Sequence, residues 1–386
     1  MKRDLTVSCS LLLLSLLFVF NTSAEFPVPQ IPFEFRTATA PSVIDSLTID
    51  GRGDEQTWQQ IPWSDPFVDI RGFDYNPAPR HETRIKMAWD DEYFYVLAWL
   101  EEPHLWATYD QHDMVIYHEN DFEVFIDPDG DLHNYLELEI NALGTTWDLM
   151  LTKPYRDNGR AIDSWEIPGL KSAIHLDGTL NNPSDTDTGW GVELAIPWDV
   201  INEVDNREHS PGQTSPLDLR VNFSRVQWQL EVVDGQYVKR TDPDTGDPLP
   251  EDNWVWSAQG LIAMHYPERW GFVGLAQTTV QPDQFWRQST APLREMALSV
   301  YYAQKRFHEE NDKYTSDLTA LSLPETVPYT QIEWPPEITV VREGYLVDLY
   351  DSFERRGLRI REDGWLQYLP YHTQYNFKPV KGVRSR

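Results

Sequence analysis

The stretch from Trp89 to Asp131 constrains the fold of this chain more than any other part of the sequence. It contains two apolar runs, Tyr93–Glu101 and Asp121–Asp127, which are rich in Val, Ile, Phe, Tyr and Trp and end in acidic or Pro/Gly turns. Aromatic and β-branched residues favour a pleated, half-buried surface, and Asp, Pro and Gly mark turns. The stretch therefore predicts two strands with a long, aromatic-rich connection between them.

Further strands are predicted wherever a short apolar or alternating run lies between turn residues. They cover residues 84–89, 135–141, 145–149, 173–176, 190–196, 219–229 and 271–275. Long helical periodicity is absent before residue 290. Many short strands at this spacing predict a mainly β fold, an antiparallel β-sandwich, and not βαβ units.

Apolar and polar residues alternate in the strands predicted on either side of Gly130. If the polar faces of these strands align, Glu123 lies near Glu137 or Glu139. Like charges across a strand pair are unfavourable unless a cation or an arginine lies between them, and Arg225 is a candidate for that role. The alternative is a solvated outer face whose carboxylates need no partner.

The composition divides the chain into segments. Residues 25–41 are Pro-rich and predict a linker, and residues 42–280 contain the predicted sandwich. Residues 288–370 predict a small α+β unit, with a helix over 291–310 and strand-like pieces at 337–342, 344–350 and 358–361. The basic tail, 371–386, is predicted to be disordered.

The first 24 residues have the pattern of a secretory signal peptide. Lys2 and Arg3 precede the apolar run Leu11 to Phe20, and small residues up to Ala24 form a cleavage site. The apolar run is too short for a comfortable membrane span. We therefore expect a secreted or periplasmic protein, cleaved near Ala24, with no membrane insertion after cleavage. The single cysteine lies inside the signal, so the mature chain has no disulfide.

The chain is strongly acidic, with 62 Asp and Glu against 32 Lys and Arg and a net charge of −30. Nucleic acids and anionic membrane surfaces are bound by basic patches, so this charge argues against both as partners. A neutral ligand or a cation is compatible with it.

Four sequence pieces in order resemble the family 9 carbohydrate-binding module and its exported relatives. The pieces are IDGRGDEQTW, WDDEYFYVLAWLEEP, NDFEVFIDPDGD and NWVWSAQGLIAMHYPERWGFVGL, and they span roughly residues 42–276. The resemblance implies a β-sandwich that binds poly- or oligosaccharides without catalysis as part of carbohydrate catabolism. It also implies structural calcium in many members and an association with polysaccharide-degrading enzymes.

The resemblance carries over to the candidate site residue by residue. Glu123 matches the family glutamate that binds sugar hydroxyls, and Tyr117 lies near the first of two clamping tryptophans. The second tryptophan falls near Met264–His265, where this chain has none, and Glu139 stands where the family has an arginine. The resemblance therefore supports the fold and the general role and leaves the sugar open.

Aromatic rings that cover sugar C–H faces and polar groups that bind hydroxyls define the candidate ligand site. The candidate ligand-binding residues are Glu123, Tyr117, Trp106, Tyr109, Asn141, Arg225 and Trp147.

Calcium is the candidate cofactor. Asp127, Asp129 and Asp131 surround a glycine turn, and oxygen-rich Asp/Gly loops suit Ca²⁺. A second run, 242–247, has the same character. The alternative is an ordinary polar hairpin turn in both places.

Two other functions stay open at this point. Glycoside hydrolysis would need a pair of carboxylates, for which Glu123 with Glu139 or Asp127 is the candidate. A haem-binding sandwich would need axial ligands such as Met114 or Met264-His265.

Overall fold

The computed structural model describes residues 26–207, 218–276 and 290–371. The predicted signal peptide, 1–24, its cleavage site at Ala24 and the predicted tail beyond Tyr371 lie outside the described residues. Within them, the helices are α1 (Gln56–Gln60), α2 (Trp198–Glu203) and α3 (Thr290–Asn311). The strands are β1 (Thr37–Pro41), β2 (Val68–Asp69), β3 (Thr83–Trp89), β4 (Tyr93–Glu101), β5 (Asp121–Asp127), β6 (Tyr135–Asn141), β7 (Thr146–Leu151), β8 (Ala161–Ile162), β9 (Lys171–Asp177), β10 (Gly189–Pro197), β11 (Asp218–Gln227), β12 (Leu230–Val233), β13 (Gln236–Lys239), β14 (Asp252–Val255), β15 (Gly271–Ala276), β16 (Glu337–Val340), β17 (Tyr345–Asp351), β18 (Arg356–Arg361) and β19 (Leu366–Pro370).

Two sheets face each other and confirm the predicted β-sandwich. The larger sheet has the strand order β1-β15-β11-β5-β6-β7-β8, with β14 paired to β11 and β2 to β14, and the smaller sheet has the order β3-β4-β10-β9. Alternate residues of β5, namely Phe122, Val124 and Ile126, pack in the main core together with residues of β4 such as Val96 and Ala98. Because side chains alternate along a strand, the other residues of β5 point to the face of the larger sheet that is turned away from this core. We call this the outer face.

The first motif of the chain packs on the back of the smaller sheet. Trp58 of α1 is fully buried against Tyr95 and Leu97, and its indole N–H donates to Glu193 Oε1 at 2.8 Å. The other oxygen of Glu193 accepts the backbone N–H of Gly51, whose φ of 81° and close approach to the β9 backbone exclude a side chain.

Two predictions about the N-terminal part are wrong. Thr37–Pro41 is not a linker: it forms β1 and pairs in parallel with β15, so the larger sheet is not wholly antiparallel. The segment that starts at Ile49 also predicts a short helical turn with Trp58 and Trp63 turned toward the core; Trp58 is buried, but Trp63 is 40% exposed and lies beneath the Lys86 ammonium. The proline-rich composition of residues 25–41 predicts a linker and not a strand. At the edge of a sheet, however, a proline is tolerated, because the N–H group that it lacks would not bond a neighbouring strand.

The C-terminal unit consists of α3 packed on the antiparallel sheet β16-β17-β18-β19. Its core includes Leu132 and Tyr266 from the sandwich part of the chain, so the two parts share one apolar cluster. Polar contacts reinforce the junction: Trp365 Nε1 donates to Asp131 Oδ2 at 2.8 Å, and Tyr301 Oη donates to Asp157 Oδ2 at 2.6 Å. None of the helices in the described ranges is long and apolar enough to cross a membrane.

Candidate functional site

Four buried carboxylates lie side by side on the outer face. Asp121 and Glu123 belong to β5 and Glu137 and Glu139 to β6, and each is at most 6% exposed. The strand register places Glu123 directly opposite Glu139, which confirms the predicted proximity. The expected alternative of a solvated face is wrong, because the neighbouring segments cover these side chains. We call these four residues the acidic row.

Burial raises the pKa of every member of the acidic row, and repulsion from nearby carboxylates adds to it, which for Glu123 comes from Glu251. The pKa of Glu123 rises to about 7, and those of Asp121, Glu137 and Glu139 rise well above the usual carboxyl range. Glu123 is the leading charged neighbour of the other three. Carboxylates in such an environment bind hydroxyl groups or cations more readily than isolated ones do, because a donor or positive charge relieves both costs.

Aromatic rings border the acidic row at one end. Tyr117 is 39% exposed, and its ring lies 6.2 Å from that of Trp147, which stands opposite Glu139 on β7. The backbone N–H of Tyr117 donates to Glu139 Oε2 at 2.8 Å and fixes the backbone of Tyr117 beside the acidic row. Three of the predicted ligand-binding residues, Glu123, Tyr117 and Trp147, therefore lie on one surface.

Tyr155 borders the opposite end, and sequence reasoning missed it. It follows β7 in a short 3-10 turn, is 49% exposed, and packs edge-on against His265 with ring centres 4.5 Å apart. Burial raises the pKa of Tyr155 to about 12, with Glu137 as the leading charged neighbour. Glu137 and Glu139 also act on Tyr117, so both tyrosines face the same carboxylates. The sequence signal that could have identified Tyr155 is an aromatic residue, in KPYRDNG, shortly after the predicted strand that contains Trp147.

The floor between the two tyrosines is long. It runs along β6 from Glu139 through Glu137 to Tyr135, whose hydroxyl contacts His265 Nδ1 at 3.1 Å. Four residues of extended strand span about 13 Å. This length suits an elongated ligand, and the exposed rings at the two ends suit apolar ligand faces.

The side chain of Asn141 and the backbone of Tyr109 are held by structural contacts, while the role of the half-buried Tyr109 ring in ligand binding remains a prediction. The Asn141 amide donates to the Tyr109 carbonyl at 2.8 Å, and its oxygen accepts the N–H groups of Leu143 and Thr145 in the β6–β7 turn. The Tyr109 N–H donates to Glu119. The structure therefore corrects the prediction for Asn141, whose oxygen and amide already hold the turn and the β4–β5 connection.

The prediction for Arg225 is also corrected. Arg225 belongs to the side of β11 that carries Val221 and Phe223, which is the core face, and its guanidinium bonds Glu102 at 3.0 Å. A strand inverts its side chains at every residue, so Arg225 cannot reach the acidic row on the outer face. Desolvation lowers the pKa of Arg225 to about 10, which is consistent with full burial.

Trp106 lies in the same connection as Tyr117 but among different neighbours. The N–H of Leu105 donates to Asp187 and that of Ala107 to Asn181, both in the β9–β10 connection. The half-buried Trp106 ring thus belongs to a segment attached to the smaller sheet's hairpin. Its role in ligand binding remains a prediction.

The predicted metal loop follows β5. Asp127, Asp129 and Asp131 each place a carboxylate oxygen within 4.8 Å of the others, and Asp127 and Asp131 are buried. Burial and then repulsion from Asp129 raise the pKa of Asp131 to about 7. Backbone N–H groups of the loop donate to all three residues, and a carboxylate oxygen keeps a second lone pair for a cation. The residues therefore fit a hard, oxygen-binding cation such as calcium.

The second Asp-rich run is different. Asp242 accepts the N–H groups of Asp244 and Thr245 in an exposed turn. Among the residues that the structure describes, this run is not one of the groups that bring three possible metal ligands together. It matches the alternative expectation of a polar turn.

The two carboxylate pairs considered for hydrolysis differ in geometry. Glu123 and Asp127 lie four residues apart on one strand, about 13 Å between Cα atoms, which is too far for the usual separation of roughly 5–9.5 Å. Glu123 and Glu139 have oxygens within 4.8 Å. Burial raises the pKa of both, whereas glycoside hydrolysis needs one acid and one ionised partner.

His265 closes the floor beside Tyr155. It lies between the rings of Tyr135, Tyr155 and Phe125, and the Arg156 guanidinium bonds its carbonyl at 3.1 Å. Burial, with a smaller effect of Arg156, lowers the pKa of His265 to about 3. The imidazole is therefore neutral in the folded protein at neutral pH.

The lowered pKa of His265 predicts that the folded protein loses stability in mild acid. Between pH ~6.5 and ~3 the unfolded chain binds a proton at this position and the folded chain does not, so stability falls as pH falls. From pH 7 to 5.5 we expect the wild type to lose about 1 kcal/mol more than His265→Gln. Urea unfolding at both pH values measures this, and equal losses in both proteins would contradict it.

Residues 49–277, more than half of the chain, match the model of a family described as carbohydrate family 9 binding domain-like.

Two curated relatives are similar over part of the chain. An exoglucanase, XynX of Acetivibrio thermocellus, is 27% identical over 184 residues, which is 47% of this chain and 14% of that protein. Endo-1,4-beta-xylanase A of Thermoanaerobacterium saccharolyticum is 28% identical over 184 residues, 47% of this chain and 13% of that protein. The chain thus spans about a seventh of the length of these relatives.

Solved structures that match this chain include a protein from Bacteroides uniformis described as a carbohydrate-binding protein by assignment, with a TM-score of 0.44 and 19% identity over 63% of this chain and 100% of that one. A family 9 carbohydrate-binding module from Caldicellulosiruptor kristjanssonii, in complex with glucose, has a TM-score of 0.38 and 16% identity over 64% of this chain and 100% of that one.

Proposed function

The chain belongs to the carbohydrate family 9 binding domain-like family, and from that premise we propose that its outer face binds poly- or oligosaccharides. The observation that carries the proposal is the position of exposed Tyr117 and Tyr155 at the two ends of the acidic row. Rings of this kind cover the C–H faces of sugars, and carboxylates accept hydrogen bonds from hydroxyls. The protein would act as a non-catalytic binding component of carbohydrate catabolism.

The N-terminal segment supports an exported location for this function. Its charged start, apolar run and small-residue site near Ala24 are those of a secretory signal. Extracellular or periplasmic polysaccharide and the enzymes that degrade it are the partners that such a location offers. The curated relatives are an exoglucanase and a xylanase, so β-1,4-glucan and xylan oligosaccharides are the first probes.

A glycan array on the mature chain, followed by calorimetric titration of the best ligands, tests the proposal. We expect saturable binding of at least one oligosaccharide class without release of reducing sugar. Binding accompanied by hydrolysis that Glu123→Gln removes would favour the hydrolase alternative. No binding to any neutral glycan would contradict the proposed function, and a Soret band in the purified protein would favour the haem alternative.

We further propose that the loop Asp127–Asp131 binds structural calcium. Three converging carboxylates, two of them buried with raised pKa, support this assignment because a bound cation would offset their desolvation and repulsion. Trp365 and Asn206 also bond Asp131, so the ion would stabilise the junction with the C-terminal sheet.

Removal of calcium should lower the melting temperature. At a free Ca²⁺ concentration 100 times the dissociation constant, the expected stabilisation is about 2.7 kcal/mol. Asp131→Asn should reduce the response to chelator, whereas the matched variant Asp244→Asn in the exposed turn should keep the wild-type response. An Asp131→Asn protein that responds to chelator as fully as the wild type would contradict the assignment.

A further inference from the structure

Three members of the acidic row, Asp121, Glu123 and Glu139, form a cluster in which two carboxylate oxygens are unpaired among the described residues. Asp121, Glu123 and Glu139 each place one oxygen within 4.8 Å of the others, and all three side chains are more than nine-tenths buried. Asp121 Oδ2 and Glu123 Oε2 have no hydrogen-bond partner within bonding geometry among the described residues; the neighbouring donor is the Ser224 hydroxyl, which is opposite Glu123 on β11, is itself unpaired and favours the ionised form of Glu123. Buried polar atoms are almost always paired, so two unpaired carboxylate oxygens in one cluster point to a missing ligand.

The backbone holds this cluster in place. Glu123 and Glu139 are opposite each other on β5 and β6, the Tyr117 N–H donates to Glu139 Oε2, and the Val226 N–H donates to Asp121 Oδ1 at 3.1 Å. The Tyr117 and Val226 bonds fix the Glu139 and Asp121 carboxylates by one oxygen each, and the strand pairing places Glu123 beside them. The site is therefore built before any ligand arrives, and little side-chain entropy remains to be lost on binding.

Within the part of the chain that the structure describes, no basic side chain is a leading charged neighbour of the cluster. The leading charge interactions on Asp121, Glu123 and Glu139 all come from other carboxylates. Arg225, the nearest sequence candidate, bonds Glu102 on the core face. Glu119, two residues before Asp121, is in contrast satisfied by the N–H groups of Thr108 and Tyr109. If Asp121, Glu123 and Glu139 are ionised together, they share a negative charge without a basic partner, which is costly in a buried site.

We propose that Asp121, Glu123 and Glu139 bind a divalent cation of the calcium class at the floor of the outer-face site. All ligands are carboxylate oxygens, the type that calcium prefers. Oxygens on opposite sides of a Ca²⁺ ion lie about 4.6–5.2 Å apart. The carboxylate oxygens of these three residues lie within 4.8 Å of one another, so the cluster has the size of a calcium site.

This cation would lie beneath Tyr117 and would leave coordination positions open toward the site, because three carboxylates supply only part of the six to eight oxygens that calcium takes. Sugar hydroxyls are oxygen ligands of the right kind. If sugar hydroxyls complete the coordination of the ion, glycan affinity depends on calcium. Only this dependence rests on the proposed glycan-binding function.

Calcium titration of the chelator-stripped mature protein, without glycan, tests the ion site. Terbium luminescence sensitised by the nearby rings and ion counting after dialysis are the readouts. We expect Glu123→Gln and Asp121→Asn to lose one bound ion or to weaken its binding by at least about tenfold, as expected when a ligand is lost. Asp131→Asn, in the separate loop, should keep this ion. Unchanged ion number and affinity in Glu123→Gln and Asp121→Asn would overturn the proposal.

The melting temperature gives a second readout that does not depend on a fully native variant. In chelator, Glu123→Gln should be more stable than the wild type, because it removes repulsion, and calcium should then stabilise it less. A purely structural cluster neutralised by protons would give the same gain with and without calcium, and that result would also overturn the proposal.

Glycan titration in calcium and in chelator separates the two proposals. Calcium binding without any glycan binding would contradict the proposed function and leave the ion site standing. Glycan binding of equal strength in calcium and in chelator would support the function and contradict the link to the ion.

Discussion

Replacement of Tyr117 by alanine is expected to weaken oligosaccharide binding by roughly 30-fold, the equivalent of about 2 kcal/mol for the loss of a central aromatic contact. Tyr155→Ala should have an effect of similar size. Both rings are well exposed, and the Tyr117 backbone keeps its bonds to Glu139 and Trp228 in the variant. The melting temperature should therefore change little. Affinity electrophoresis and calorimetry measure the binding.

Phe353→Ala is the matched control for these variants. Phe353 is 81% exposed in the turn between β17 and β18, away from the acidic row, and its loss should leave binding unchanged. If Tyr117→Ala and Tyr155→Ala bind as tightly as Phe353→Ala, the outer face is not the site. If either variant loses several kcal/mol of stability, its ring is part of the core.

Replacement of Arg156 by methionine should cost about 3–5 kcal/mol of folding stability, because it leaves the buried Glu268 carboxylate without its ion-pair partner. The guanidinium bonds Glu268 at 2.9 Å and the Tyr301 hydroxyl at 3.2 Å, and it lies 4.1 Å from the Tyr266 ring centre. Glu268 also accepts from Tyr302 of α3. This one side chain thus connects the sandwich to the C-terminal helix.

Thermal unfolding and limited proteolysis measure this effect. In Arg156→Met we expect a lower melting temperature and faster cleavage between the sandwich and α3. Arg359→Met, which breaks a half-exposed pair with Asp348, should cost only about 0–1 kcal/mol. Equal effects of the two substitutions would show that the junction does not depend on the buried pair.

The sequence predicted the framework well because strand periodicity is a local signal. The runs now described as β4, β5 and β6 have the predicted limits, and the Glu123–Glu139 proximity follows from their alternation. The same alternation already placed Arg225 with Val221 and Phe223, so its position on the core face could have been predicted.

The rest of the site depends on contacts between distant segments. Burial of the acidic row requires the Tyr117 and Val226 backbones, and no local pattern in β5 or β6 reveals these neighbours. Tyr155 lies in a loop without periodicity. Residues 37–41 became a strand only because β15, more than 200 residues later, offers them an edge.

Hydrogen exchange of the mature protein, with and without a saturating oligosaccharide, tests the central claim most directly. We predict that protection on binding is concentrated in residues 115–119 and 146–156, the segments that carry Tyr117, Trp147 and Tyr155. Saturating binding that protects only other segments, such as the C-terminal sheet, would contradict the assignment of the outer face as the glycan site.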